Sequence, residues 1–268
     1  PVDFDQWAVR PIALKIAYFG TAYRGFAHEG GRDDLATIES VLFDALKKAQ
    51  LIPDVAACAW TRSGRTDKGV HAFGQVVGLR LQASRTRTRK TREYELPYVN
   101  MLNSLLPHDI RVLAWAPVPS EFHARFTTRF RRYHYFFPAR GFDLARMHEA
   151  AQHYTGTHDW RNFCKVPRGF EGHFERTLYK CHIRQATANP DIAIFEIEGQ
   201  AFLWHQVRCM MAVLMQVGLG RESPDIVPRL LDVARQPAHL GRPSYFLADE
   251  AGLVLMHCGY PEGLLRWR

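Results

Sequence analysis

Apolar and polar residues change rhythm several times along this chain, and each change marks an expected element. Leu14, Ile16 and Tyr18 alternate with Ala13, Lys15 and Ala17, the period-two pattern of a strand with one buried face. A glycine-punctuated turn at 20–25 follows. Thr37 then precedes Ile38, Val41, Leu42 and Leu46 at helical spacing, with Ser40 in the first turn and Lys47 and Lys48 in the last. This is a helix with Thr37 as its N-cap and cations at its negative end. An apolar stretch at 55–60 predicts a second strand. Val77, Leu79 and Leu81, alternating with Gly78, Arg80 and Gln82, predict a third. A helix around 97–106 and a strand at 110–115 complete a first half.

Pro117 and Pro119 fall within four residues and break both helix and strand, which places a boundary there. Beyond it, arginine and aromatic residues alternate in a strand, and a helix at 144–154 and an irregular polar segment at 155–175 follow. Strands at 177–187 and 192–198 flank the Asn189-Pro190-Asp191 turn. A long apolar helix runs from about 202 to 219, closed by Gly220, and a strand at 252–257 ends the core. The expected organisation is an arm at 1–12, a first half at 13–117 and a second at 118–268. Strands and helices mix without a βαβ rhythm. The fold class is therefore α+β, with a mixed, mostly antiparallel sheet in two comparable halves flanked by helices.

Composition narrows the function classes. With 47% hydrophobic and 23% charged residues, the chain matches a soluble globular protein. Its longest apolar run, 209–215, is far short of the ~20 residues that span a bilayer, so no membrane partner is expected. The opening residues lack the basic and apolar regions of a secretory signal, and a first residue other than Met is expected of a processed or trimmed chain. Five scattered cysteines, with no CxxC pair, point to reduced thiols inside the cell, in nucleus, cytoplasm or an organelle. Thirteen histidines form no HExxH or Cys–His module, and no phosphate-binding glycine loop is present, so neither metal nor cofactor is expected.

The net charge of +8 becomes informative through clustering. Arg80, Arg85, Arg87, Arg89, Lys90 and Arg92 gather in one stretch, read either as a solvated loop or as a loop that orders on RNA. Arg125, Arg129, Arg131 and Arg132 interleave with Phe126, Phe130, Tyr133 and Tyr135. Cations meet phosphates, and aromatic planes stack on unpaired bases. The same alternation suits a strand with one buried face, and both readings can hold.

Three constellations could carry chemistry. In the first, Gly64 and Gly69 bracket Arg65, Asp67 and Lys68 in a tight link between apolar strands. The two cations favour an ionised Asp67 and attract an anion, although a hairpin turn with a solvated acid has the same composition. In the second, Arg208 lies about two turns into the apolar helix, where a buried guanidinium needs a carboxylate. In the third, Tyr133 and Tyr135 share one strand face, as core tyrosines or as a surface for a flipped base.

Gly64-Arg65-Thr66-Asp67-Lys68-Gly69-Val70-His71-Ala72 resembles the signature of the TruA family of tRNA pseudouridine synthases. Three further motifs match in order. They are residues 17–26, then Phe122-His123-Ala124-Arg125-Phe126 with Arg131-Arg132-Tyr133-His134-Tyr135, and residues 202–210. The resemblance implies a pseudouridine synthase fold with a basic cleft between its halves, a tRNA partner, no cofactor, and a homodimer as in bacterial members. It implies Asp67 as nucleophile, Tyr133 packed on the target uracil, and Arg208 as the basic residue paired with the aspartate. Arg65 is implied to hold the displaced nucleotide, and Phe122, His123, Arg125, Phe126, Arg85 and Arg87 to contact RNA. Thr37-Ile38-Glu39, His158-Asp159-Trp160-Arg161-Asn162-Phe163-Cys164-Lys165 and Ala201-Phe202-Leu203-Trp204-His205-Gln206 look most like the eukaryotic branch that modifies positions 38 and 39 of the anticodon arm. Lys68 fits that branch as well, whereas His71 is the more bacterial choice. The competing readings are a catalytically silent tRNA-binding protein on this fold, the same reaction at other positions or on another RNA, and a metal-dependent RNA hydrolase.

Overall fold

The computed structural model describes residues 8–28, 36–83, 96–166, 169–233 and 244–268. The chain forms two compact units, one from Pro1–Arg129 with Leu255–Arg268 and one from Phe130–Val254. The boundary thus falls between Arg129 and Phe130, downstream of the expected Pro117–Pro119 break, and the C-terminal residues return to the first unit. The basic stretch holding Arg85 and Arg87 lies outside the described residues.

In the first unit, β1 (Val9–Tyr18) is central. It pairs antiparallel with β3 (His71–Gln82) from Val9↔Gln82 to Tyr18↔Ala72, and with β4 (Ile110–Pro117) from Ile12↔Pro117 to Tyr18↔Ile110. The short β2 (Thr61–Arg62) pairs with β3, and β9 (Leu253–Gly259) lies beside β3. Ile12, Leu14 and Ile16 are fully buried, as the alternation requires. Helix α1 (Ile38–Lys48) starts where Thr37 predicts, in a complete capping box. The Thr37 hydroxyl accepts from Ser40 N–H, and the Ser40 hydroxyl oxygen accepts from Thr37 N–H. The second helix, α2 (Tyr98–Asn103), is shorter than expected.

The strand expected at 55–60 is a correction. Asp54 accepts a hydrogen bond from Ala57 N–H at 2.7 Å, Cys58 N–H returns to the Val55 carbonyl, and Ala59 has φ +48°. A side-chain-capped turn has displaced the extended backbone that the apolar composition favoured, leaving only Thr61–Arg62 as strand.

In the second unit, β5 (Phe130–Pro138), β8 (Ile192–Gly199), β7 (Glu175–Gln185) and β6 (Gly156–Asp159) follow one another, all antiparallel. Strand β6 occupies part of the segment expected to be irregular. It contains little apolar alternation and is held by pairing with β7 rather than by its own pattern. Helix α3 (Leu144–Gln152) starts on Asp143, which accepts from Arg146 N–H. It crosses α4 (Gln206–Gly218) at Gly218, where an added Cβ would meet the Met147 sulfur at 2.5 Å. Tyr154, Trp160, Phe163 and Phe195 form a fully buried aromatic cluster, the first three in mutual contact at 5.3–5.8 Å. A short helix, α5 (Ile226–Leu231), was not anticipated from the periodicity. Antiparallel strands with a few helices in each unit give the expected α+β class.

On the outer face of this sheet Glu196 gathers two cations and an imidazole. Lys180 Nζ lies at 2.7 Å, Arg184 Nη2 at 2.8 Å and His134 Nε2 at 3.6 Å. Partial burial raises the carboxyl's tendency to hold its proton, but the Lys180 and Arg184 hydrogen bonds outweigh it and bring the pKa down to about 2. A depressed carboxyl pKa contributes stability above the unfolded value, and that stability is lost as pH falls through the folded value. Glu196→Gln is therefore expected to lower Tm at neutral pH, with the deficit shrinking from the ordinary glutamate range down to about 2. Thermal melts of both proteins across that range are the check; a deficit independent of pH would contradict it.

Candidate active site

Asp67 occupies the loop that joins β2 to β3, and its conformation is set by the segment that follows β1. The Tyr18 hydroxyl and Thr66 Oγ1 share a buried hydrogen bond of 2.8 Å, and Phe26 N–H donates to the Thr66 carbonyl at 3.1 Å. Gly20 N–H donates to His71 Nδ1 at 3.0 Å. Side chains at the two glycines would obstruct this approach. A Cβ on Gly20 would lie 2.1 Å from the Val70 carbonyl oxygen. Gly25 has φ +117°, and a Cβ there would lie 3.1 Å from the Thr66 oxygen. From the other side, Gln75 Nε2 donates to the Gly64 carbonyl and Ser63 N–H to the Val76 carbonyl. Gly69, with φ +80°, turns the chain into β3, and Val70 N–H closes on the Asp67 carbonyl. Thr66 and Val70 are buried, Asp67 is half-buried, and Arg65 and Lys68 are exposed. The loop therefore presents a carboxylate between two solvent-facing cations on a tightly fixed backbone.

Phe122, His123, Arg125 and Phe126 belong to this same unit and not to the expected second half. Ala124 explains the correction, since its N–H donates to Thr61 Oγ1 and its carbonyl accepts from the hydroxyls of Tyr260 and Thr128. Thr128 in turn bonds Ser63 at 3.0 Å, so this turn is anchored directly to the base of the Asp67 loop. The turn displays a stack of complementary groups. His123 and Phe126 have ring centroids 4.4 Å apart, the Arg125 guanidinium lies 5.5 Å from the Phe126 ring, and Phe126 is 75% exposed. Exposed aromatic and guanidinium planes in contact suit unpaired bases and phosphates.

In the second unit, Tyr133 and Tyr135 share the inner face of β5, as expected, and both are buried. Tyr133 meets Phe202 edge-on at 5.1 Å. Tyr135 donates to the Asp249 carbonyl, and its phenol is pushed up to about 12 by burial and by the Asp249 charge. Arg208 is 9% exposed in the first turn of α4. Its Nη2 lies 2.6 Å from Glu250 Oε2 and its Nε donates to the Ala248 carbonyl at 2.7 Å. The need for a carboxylate was legible in the sequence, but the partner is Glu250, 42 residues away, where the resemblance implied Asp67. The helix also starts later than its apolar pattern implies. His205 adopts a left-handed conformation (φ +61°), and the Gln206 side chain accepts from Leu203 N–H. Residues 202–205 are thereby turned out of the helix.

A family model described as tRNA pseudouridine synthase matches residues 150–261. A Bos taurus protein named tRNA pseudouridine(38/39) synthase is 41% identical over 99% of this chain, which spans 58% of that relative. A probable tRNA pseudouridine synthase of Caenorhabditis elegans is 32% identical over the whole chain and 71% of its own length. Methanothrix thermoacetophila tRNA pseudouridine synthase A is 35% identical over 96% of this chain and 85% of its own length. The chain belongs to the TruA family of tRNA pseudouridine synthases.

For a member of this family, one well-defined feature near the Asp67 loop had no role assigned from sequence. Glu39, in the first turn of α1, is only 1% exposed. Its Oε1 accepts from Trp60 Nε1 at 2.7 Å, and its Oε2 accepts from His28 N–H at 2.8 Å and pairs with Arg62 Nη1 at 2.9 Å. Burial pushes the carboxyl above the usual glutamate range, opposed by these hydrogen bonds and by the Arg62 and Arg65 charges. Glu39 thus ties the helix to β2, the strand that leads directly into the Asp67 loop. The sequence signals were an acid beside the N-cap, which is also the ordinary surface choice there, and its place in the Thr37-Ile38-Glu39 segment, which gave it no role. Glu39→Ala would leave a partly buried guanidinium and two donors without their acceptor. Such a break is expected to cost about 3 kcal/mol, measured by urea unfolding, whereas Glu39→Gln retains an acceptor and loses less. Equal stability of the alanine variant and the parent would refute the anchoring role.

Proposed function

We propose that this chain isomerises uridine to pseudouridine in tRNA, at positions 38 and 39 of the anticodon arm. The observation that carries the reading is the 41% identity, over nearly the whole chain, to relatives named for that reaction. Archaeal relatives named more broadly as tRNA pseudouridine synthase A align almost as completely, which keeps other tRNA positions as the second reading.

The reaction breaks the N1 glycosidic bond and joins the ribose to C5 of the same uracil. The C5 proton leaves to solvent and N1 regains one, so the product is an isomer and no co-reactant is consumed. In this reading Asp67 is the nucleophile that attacks the target nucleoside, and the hydrogen-bonded Thr66 and the close-packed Gly20 and Gly25 hold its backbone in place. A carboxylate nucleophile is effective when ionised and shielded from water. Arg65 and Lys68 favour the ionised form and attract the flanking phosphates. Tyr133, held on edge by Phe202, packs on the displaced uracil, while Arg208, the family's basic residue, is held by Glu250 and the Ala248 carbonyl. Extruding the nucleotide is what allows a buried tyrosine to meet its base.

Asp67→Asn is expected to reduce tritium release from C5-labelled uridine tRNA to background while leaving tRNA binding and Tm near their original values. Normal release by that variant would eliminate the nucleophile. Pseudouridine mapping in tRNA from cells lacking the protein separates the two readings, since positions 38 and 39 must lose the modification if the first is right. For the exposed turn, Arg125→Ala is expected to weaken tRNA binding and reduce its logarithmic salt slope by about one. Filter binding across salt concentrations measures it, and an unchanged slope would remove Arg125 from the phosphate contacts.

A further inference from the structure

Two of the segments that resemble the eukaryotic branch are separate in sequence, at 158–165 and 201–206, yet they meet in the second unit at one point. Lys165 N–H donates to the Trp204 carbonyl at 2.9 Å, and the Lys165 ammonium lies 5.1 Å from the centroid of the Trp204 ring. Trp204 also contacts the His205 imidazole, with centroids 4.8 Å apart. Among the described tryptophans Trp204 is the most exposed, at 44%, and Lys165 is exposed beside it.

Holding the indole outward has a structural cost. His205 takes a positive φ, uncommon for a residue with a Cβ, and α4 begins only at Gln206. Behind the platform the supporting residues are fixed. Asn162 is buried and donates to the Leu230 carbonyl, and Trp160 and Phe163 are fully buried in the aromatic cluster. Two residues before Trp204, Phe202 rests against Tyr133. An indole turned to solvent next to a cation and close to the proposed uracil-packing tyrosine has a clear chemical match. Its face suits a planar nucleobase, and the ammonium suits the phosphate attached to that base.

We propose that Trp204 and Lys165 form a second base-binding platform, which stacks one unpaired nucleotide of the substrate loop beside the target uridine. The proposal rests on the reading of this chain as a tRNA-modifying enzyme. It adds a way to select the loop context of the target, a role distinct from the chemistry of Asp67.

The test measures binding of the intact chain to an anticodon stem-loop RNA and to a set of the same RNA with one abasic loop nucleotide each. Trp204→Ala is expected to weaken binding on the order of tenfold to a hundredfold, with Trp204→Phe retaining most of the affinity because it keeps an aromatic face. Lys165→Met should lower the salt slope by about one. One abasic position should weaken the parent as much as Trp204→Ala does and have no added effect on that variant, which identifies the stacked nucleotide. Unchanged affinity of a folded Trp204→Ala protein would overturn the platform. So would an altered oligomeric state in sedimentation with unaltered RNA affinity, because the indole would then serve a contact between copies. Tritium release by the parent is run in parallel. An inactive parent would discredit the reaction, whereas an active parent with an indifferent Trp204→Ala would discredit the platform alone.

Discussion

A close approach of backbone to backbone governs the first unit. The segment after β1 lies against the loop between β2 and β3; a Cβ would overlap that loop at Gly20 and would be both tight and backbone-strained at Gly25. Hydrogen bonds alone could not hold the loop as firmly, because each contributes only about 1 kcal/mol net in a folded protein. Steric exclusion adds a constraint without a partner to lose. With Tyr18 on Thr66 and Gly20 on His71, the residues on both sides of Asp67 are tied to the β1 side. Gln75 and Ser63 oppose it on the β3 side. A half-buried acid between two exposed cations would ordinarily be a mobile surface group. Here its main chain is held from both sides by hydrogen bonds and close packing.

Elements defined by local rules were legible from the residues. The Thr37 capping box, the alternation in β1 and β3 and the turn at Asn189-Pro190-Asp191 each depend on neighbours a few positions away. Where legibility failed, a side chain had intervened in the backbone's choice. Asp54 converted an apolar stretch into a turn, and Gln206 with the left-handed His205 delayed a helix whose apolar composition reads four residues further. The position of the 122–128 turn depended on hydrogen bonds to Thr61 and Tyr260, each more than 60 residues distant, while two prolines gave a stronger local signal elsewhere.

The candidate site divides in the same way. Asp67 could be read as a charged group in a turn, and the family motif implied its role. Arg208 could be read as a buried cation in need of a carboxylate, yet nothing in the sequence pointed to Glu250. Glu39 was the least legible of all. An acid in a helix's first turn is normally solvated, and only the fold shows Trp60, Arg62 and His28 converging on it. Buried charge therefore supports both units by the same logic. Each carries a buried ionisable side chain, Glu39 in one and Arg208 in the other, with an opposite charge and a further hydrogen-bond partner around it, an arrangement that offsets desolvation.

That symmetry separates what is costly to change from what is open to change. A buried ion with several partners tolerates few substitutions, since losing any one partner strands the others. The exposed groups, Phe126 with Arg125 in one unit and Trp204 with Lys165 in the other, carry no such burden. Both pairs put a cation over an aromatic face at the surface of a chain of net charge +8. An aromatic plane accepts any base, because every base has a π-face, so one platform alone discriminates little. Substitution at the exposed pairs therefore changes the surface that each unit offers, whereas the hydrogen bonds and close packing that hold the Asp67 turn are left as they were.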